Sequence, residues 1–154
     1  MSTIVFIDTS ILCNLIPVPG RSQHEAEVRK ELAARQRRGE QFILPITAVI
    51  ETGNFIAQLK DGSERRTVSE KMENILRYIC EGKTPWVLHD VAWNRGFLLA
   101  FLDGAGTQMS YSQHAQNRMG AGDLCILTER QHYQDRTRIK AEVWTLDDGL
   151  NAHV

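Results

Sequence analysis

The pattern of apolar and polar positions changes period along the chain, and each change marks a predicted element. Residues 3–7 form a β-branched and aromatic run without polar alternation, as expected of a strand buried on both faces of a parallel sheet, and the run stops at Asp8. Residues 9–16 are apolar at helical spacing and end before Pro17 and Pro19, which predict a loop. Ser22-Gln23-His24-Glu25 has the form of a capping box ahead of an Ala/Glu/Arg-rich helix that closes at Gly39. Residues 42–46 predict a second buried strand, and Thr47 is placed to cap a helix that carries Ile50, Glu51, Asn54 and Ala57 and ends near Asp61-Gly62.

Val68, Met72, Ile75, Leu76 and Ile79 recur at three- and four-residue steps, so residues 63–80 predict an amphipathic helix closed at Gly82. Residues 86–88 predict a third strand, and Asp90 is placed to cap a helix through Trp93, Phe97, Leu98 and Phe101. Residues 103–119 include Gly104, Gly106, Ser110, Ser112, Gln113 and Asn117, lack periodicity, and are expected to form a long loop. Gly120-Ala121-Gly122-Asp123 introduces another helix, and residues 141–145 form a last strand that ends at Leu146-Asp147. Strands alternating with helices predict an α/β fold, an open parallel sheet with helices on both faces (α/β/α). The length of 154 residues suits one domain, 1–154, and no internal repeat interrupts it.

Composition removes several function classes. No stretch reaches the roughly 18 apolar residues that span a membrane, and the start lacks a basic n-region and has its apolar run cut by Asp8, so a cytoplasmic protein is expected. Cys13, Cys80 and Cys125 form no CxxC pair and are each flanked by apolar residues, which predicts buried reduced thiols. The five histidines show no HxxxH-type spacing, which argues against zinc. The net charge of −1 is unpromising for a nucleic-acid partner, yet with four clustered acids set aside the remainder carries +3, and only five of its 18 basic residues are lysines. Arginine's planar fork suits phosphate.

Those four acids are the candidate chemistry. Ligands bind outside the carboxyl ends of the strands in a sheet of this kind. Asp8 follows the first strand, Glu51 lies early in the helix after the second, Asp123 opens a helix after a Gly-rich turn, and Asp147 ends the last strand. Asp148 is the alternative to Asp147, and the Thr-x-Asp spacing from Thr145 favours Asp147. Taken singly, Asp123 reads equally well as a helix cap and Glu51 as a solvated helix residue; their joint placement at strand ends carries the signal.

Phe6-Ile7-Asp8-Thr9-Ser10-Ile11-Leu12 resembles the opening motif of PIN domains, including the VapC-like toxins of bacterial toxin–antitoxin pairs. Thr47-Ala48-Val49-Ile50-Glu51, Gly122-Asp123-Leu124-Cys125-Ile126-Leu127 and Thr145-Leu146-Asp147 resemble, in the same order, the segments that supply that family's other acids. The resemblance spans essentially the whole chain. It implies a Mg²⁺- or Mn²⁺-dependent endoribonuclease, with RNA as substrate and an antitoxin protein as partner; whether the chain forms a homodimer is left open.

Clustered carboxylates raise one another's pKa unless a cation neutralises them, and hard ions prefer oxygen ligands. Asp8 and Asp123 are the expected closest ligands, with Glu51 and Asp147 holding metal waters or a second ion. Thr9, Ser10 and Thr145 are supporting hydroxyls, each equally readable as a turn or cap group. Arg118, two residues before the Gly120-Ala121-Gly122 turn, is the candidate phosphate contact. A phosphatase with a nucleophilic Asp would want a second acid two residues on, where Ser10 stands. A non-catalytic module of the same fold that binds RNA or protein is the second reading.

Overall fold

The computed structural model describes residues 3–154. Its four strands are β1 (Ile4–Ile7), β2 (Gln41–Ile43), β3 (Trp86–Val87) and β4 (Ala141–Trp144). They form one all-parallel sheet in the order β3-β2-β1-β4. Central β1 is buried at all four positions, as its unalternating sequence predicts. Its side chains divide by parity. Val5 and Ile7 enter a core with Phe42 and Trp144, while Ile4 and Phe6 enter a second core with Ile43 and Val143.

Helices cover both faces, so the expected α/β/α layering is present. The first core is closed by α1 (Thr9–Leu15), α2 (Glu25–Arg37), α3 (Ile46–Ala57) and α4 (Gly62–Cys80) through Ile11, Leu12, Val28, Ala48, Ile56, Val68 and Met72. On the other face α5 (Arg95–Leu102), α6 (Tyr111–Gln116), α7 (Ala121–Thr137) and α8 (Asp148–Asn151) follow, with Leu124, Ile126, Leu127 and Leu150 in the core. Among the described residues, no helix is long and apolar enough to cross a membrane.

Several local expectations are corrected. The Ser22 capping box does not form: α2 begins at Glu25, His24 caps without a side-chain bond, and the Ser22 hydroxyl donates to the Val18 carbonyl at 2.9 Å. Pro45, rather than Thr47, precedes the first residue of α3. Asn94, rather than Asp90, caps α5 and accepts from the Phe97 N–H at 3.0 Å. Cys80 is exposed and Cys125 half-buried, so only Cys13 is the buried thiol expected of all three.

The segment 103–119 is not one long loop. Ser110 and Gln113 form a capping box that starts α6. The turn before it is closed by Gly104, at φ +86, where a Cβ would lie 1.6 Å from the Met109 carbonyl oxygen. The buried His114 ring meets Thr107 Oγ1 at 2.6 Å and ties the two parts together. A six-residue helix is too short to show an apolar period, but its S-x-x-Q cap was a readable signal.

Candidate active site

The strand order places the site. From β1 the chain moves to β2 and β3 on one side, whereas β4 pairs with the other side of β1. The carboxyl ends of β1 and β4 therefore flank the point at which the sheet's winding reverses, where parallel α/β sheets open a crevice. A cleft of about 530 Å³ lies there, and Asp8, Glu51, Asp123 and Asp147 all line it. Of the two adjacent acids, Asp147 lines the cleft and Asp148 does not.

Asp8 is buried and held by three donors. Its Oδ1 accepts from Ser10 Oγ at 2.6 Å and from the Ile11 N–H at 3.2 Å, and its Oδ2 accepts from Thr145 Oγ1. The bond to Ile11 also caps α1. Both hydroxyls then receive backbone N–H groups from the β4 exit: Leu146 N–H donates to Ser10 Oγ at 3.0 Å and Asp147 N–H to Thr145 Oγ1 at 2.9 Å. The supporting hydroxyls thus join the ends of β1 and β4 through Asp8. Burial pushes the Asp8 carboxyl above its ordinary value, the hydrogen bonds from Ser10, Thr145 and Ile11 oppose this, and the charge of Asp147 adds to it.

The other acids differ in how they are held. Thr9 Oγ1 donates to Glu51 Oε1 at 2.6 Å. Asp147 caps α8 by accepting from the Leu150 N–H at 2.9 Å. Asp123 sits inside the first turn of α7, whose N-cap is Gly120, so it is not the cap residue that it resembles in isolation. Among the described residues, no side-chain or backbone donor reaches its carboxylate. Burial first, then the charges of Asp147, Asp8 and Glu51, push it up to about 6. Helix α3 brings Glu51 so close to α7 that a Cβ on Gly122 would lie 2.7 Å from Glu51 Oε2. Glycine at 122 is what admits the carboxylate.

The four acids share one cleft without sharing one point: among the described residues, no three His, Cys, Asp or Glu side chains form a ready-made ligand group. Their donor chemistry nonetheless fits a hard divalent cation, since the groups are carboxylate and hydroxyl oxygens and the Asp123 carboxylate lacks a hydrogen-bond donor.

No family model, curated protein or solved structure matches the chain. A role is therefore read from the cleft itself. Arg118 follows α6 at φ +67, is exposed, and is not in the cleft lining. Three lining residues escaped the sequence reading. Asn14 is a buried amide that donates to the Ser10 carbonyl at 2.8 Å and accepts from the His24 N–H at 2.9 Å, pinning the loop after α1 to the cleft. It is the one polar residue in the run 11–16, and that is its signal. Arg21 and Phe55 meet across 34 positions of sequence, with the guanidinium 3.5 Å from the ring centroid, and nothing local announces the pairing. Cys13 also lines the cleft, but burial pushes its thiol up, away from the reactive thiolate. The His89 side chain is buried against Phe6 and Tyr133 with Glu129 at 3.3 Å, away from the cleft lining.

Proposed function

We propose that this chain is a metal-dependent endoribonuclease of the PIN-domain type, hydrolysing RNA phosphodiester bonds with Mg²⁺ or Mn²⁺. The observation that carries the reading is the convergence of Asp8, Glu51, Asp123 and Asp147 from four separate elements on one cleft at the sheet's switch point. Burial and like charges held together are both unfavourable for a carboxylate, and at Asp123 burial first and the charges of Asp147, Asp8 and Glu51 second raise the carboxyl; a fold that retains such groups in an open cleft is suited to a cation.

Asp123 and Asp8 would hold the ion, with Glu51 and Asp147 on its waters or on a second ion. When bound, such an ion activates water and offsets negative charge on the phosphodiester. The chain's own groups prepare for this. Ser10, Thr145 and the Ile11 N–H fix the orientation of Asp8, Thr9 fixes Glu51, and the α8 cap fixes Asp147. Asp123, without a donor, retains a proton up to about pH 6 until a cation takes its place.

The test is cleavage of a panel of single-stranded and structured RNAs with Mn²⁺ or Mg²⁺, which a chelator should stop. Cleavage unaffected by chelator would overturn the metal, and no cleavage of any RNA would favour the non-catalytic module. The resemblance to VapC-like toxins extends the proposal to a toxin with an antitoxin partner. Expression of the chain alone should then arrest growth, and the Asp8→Asn variant should not.

Gly122→Ala gives a sharper check on geometry. The new Cβ collides with the Glu51 carboxylate, the far end of a flexible side chain, so Glu51 swings away and leaves the fold intact. Alanine in a helix is favoured over glycine by up to about 1 kcal/mol, so the melting temperature should hold or rise while Mn²⁺ affinity and cleavage fall. Unchanged metal affinity would remove Glu51 from the site.

A further inference from the structure

We infer that Arg21, held on the ring of Phe55, is the phosphate-binding residue that seats the RNA strand beside the acids of the cleft. The inference rests on the ribonuclease reading and names a group that the four-acid pattern does not contain.

The local sequence explains how Arg21 is placed. Val18-Pro19-Gly20-Arg21 has proline at the second turn position and glycine at the third, Gly20 takes φ +82, and the Arg21 N–H donates to the Val18 carbonyl at 3.0 Å. These are the marks of a type II turn. Val18 is fully buried, so the turn is anchored in the core and Arg21 leaves it at a defined point. The guanidinium then lies over Phe55 of α3, one turn beyond Glu51 on the same helix, and both Arg21 and Phe55 line the cleft.

Charge makes the placement informative. Among the described residues, Arg21 is the only Lys or Arg in the cleft lining, in a site that holds four carboxylates. It forms no ion pair with any of them and rests on an aromatic face instead. A cation held by a ring keeps its N–H groups unspent in the guanidinium plane. An RNA strand entering the cleft must bring its phosphates past four acids, and a fixed planar donor at the rim supplies the opposing charge and a bidentate contact. A phosphate neighbouring the cut bond is the group that fits.

The test is the binding of a fluorescently labelled single-stranded RNA, measured by anisotropy over a range of salt. The Asp8→Asn background with Mn²⁺ present keeps the strand intact, as a gel confirms. Adding Arg21→Ala should weaken binding about tenfold, as expected for a lost charged hydrogen bond. It should also lower the slope of log Kd against log salt by about 0.7, the value of one phosphate on a single strand. Arg21→Lys should restore the slope without restoring the affinity, because lysine keeps the charge and lacks the fork. Phe55→Leu, which keeps the apolar packing, should weaken binding by releasing Arg21.

Unchanged affinity and slope in Arg21→Ala, or no RNA binding by the parent, would overturn the inference. Full recovery by Arg21→Lys would overturn the bidentate contact, and unchanged binding in Phe55→Leu would overturn the role of Phe55 as its platform. The two readings separate cleanly. Metal-dependent cleavage by the wild type, with an unchanged slope in Arg21→Ala, overturns only the assignment of Arg21. A slope that falls by about 0.7 in a protein that never cuts RNA supports the phosphate site and overturns the nuclease.

Discussion

Asp8→Asn is expected to reduce Mn²⁺-dependent RNA cleavage by about 10²–10³-fold or more, the usual cost of removing one electrostatic group from a reacting centre, with no loss of folding. The separation of the two effects follows from the bonds that Asp8 makes. Its Oδ1 caps α1 through the Ile11 N–H and accepts from Ser10, and an asparagine carbonyl oxygen can keep both bonds. Asparagine caps helices about as well as aspartate. Only the oxygen facing Thr145 changes, to an amide that donates to the threonine hydroxyl. The variant also removes a carboxyl whose charge burial already disfavours. Rates measured across a panel of RNAs, beside thermal melts, check both halves. Wild-type rates in Asp8→Asn would remove Asp8 from the site, and a collapsed melting temperature would assign it a structural role alone.

Where sequence and structure agree, the agreement has a physical origin. The run at 4–7 is apolar throughout because both faces of the strand are covered, the run at 141–144 is apolar except for the exposed Glu142, and polar residues follow where each strand leaves the sheet, so Asp8 and Asp147 could be placed at the sheet edge from the chain alone. The period of Val68, Met72 and Ile79 likewise matches the buried stripe of α4. What was not legible depends on partners distant in sequence or on very short elements. Ser22 carried the letters of a capping box, but the Val18 carbonyl, which also accepts the Arg21 N–H that closes the turn, took its hydroxyl. Arg118 looked like the basic group nearest Asp123 in the chain, whereas the fold brings Arg21 into the cleft from beyond α1. The closeness of Gly122 to Glu51 depends on the packing of α3 on α7, and no local pattern encodes it.

Asp123→Asn should make the metal-free protein more stable at neutral pH, and the dependence on pH gives the sign. The folded-state value of about 6 lies above the ordinary 3.8, so ionising Asp123 costs more in the folded protein than in the unfolded chain. Below about pH 4 the carboxyl is protonated in both states and carries no penalty. Between about 4 and 6 the wild type loses stability as pH rises, and above 6 the penalty is complete. Taken at face value the displacement amounts to about 3 kcal/mol; Asp123 is half-buried, water screens part of it, and about 2 kcal/mol is the expected gain on neutralising it. For a chain of this size that is a rise in Tm of about 4–8 °C. The variant and wild type should therefore melt together near pH 4 and separate by pH 7 in chelator. Mn²⁺ should reverse the order. At a free ion concentration about a hundred times Kd, the wild type gains roughly 2.7 kcal/mol, whereas the variant, without its donor-free carboxylate, gains less. Melts at both pH values, with chelator and with Mn²⁺, measure all four combinations. A lower metal-free Tm for Asp123→Asn at pH 7, with no response of the wild type to Mn²⁺, would mean that Asp123 stabilises the fold by ordinary contacts and that the acids of the cleft do not await a cation.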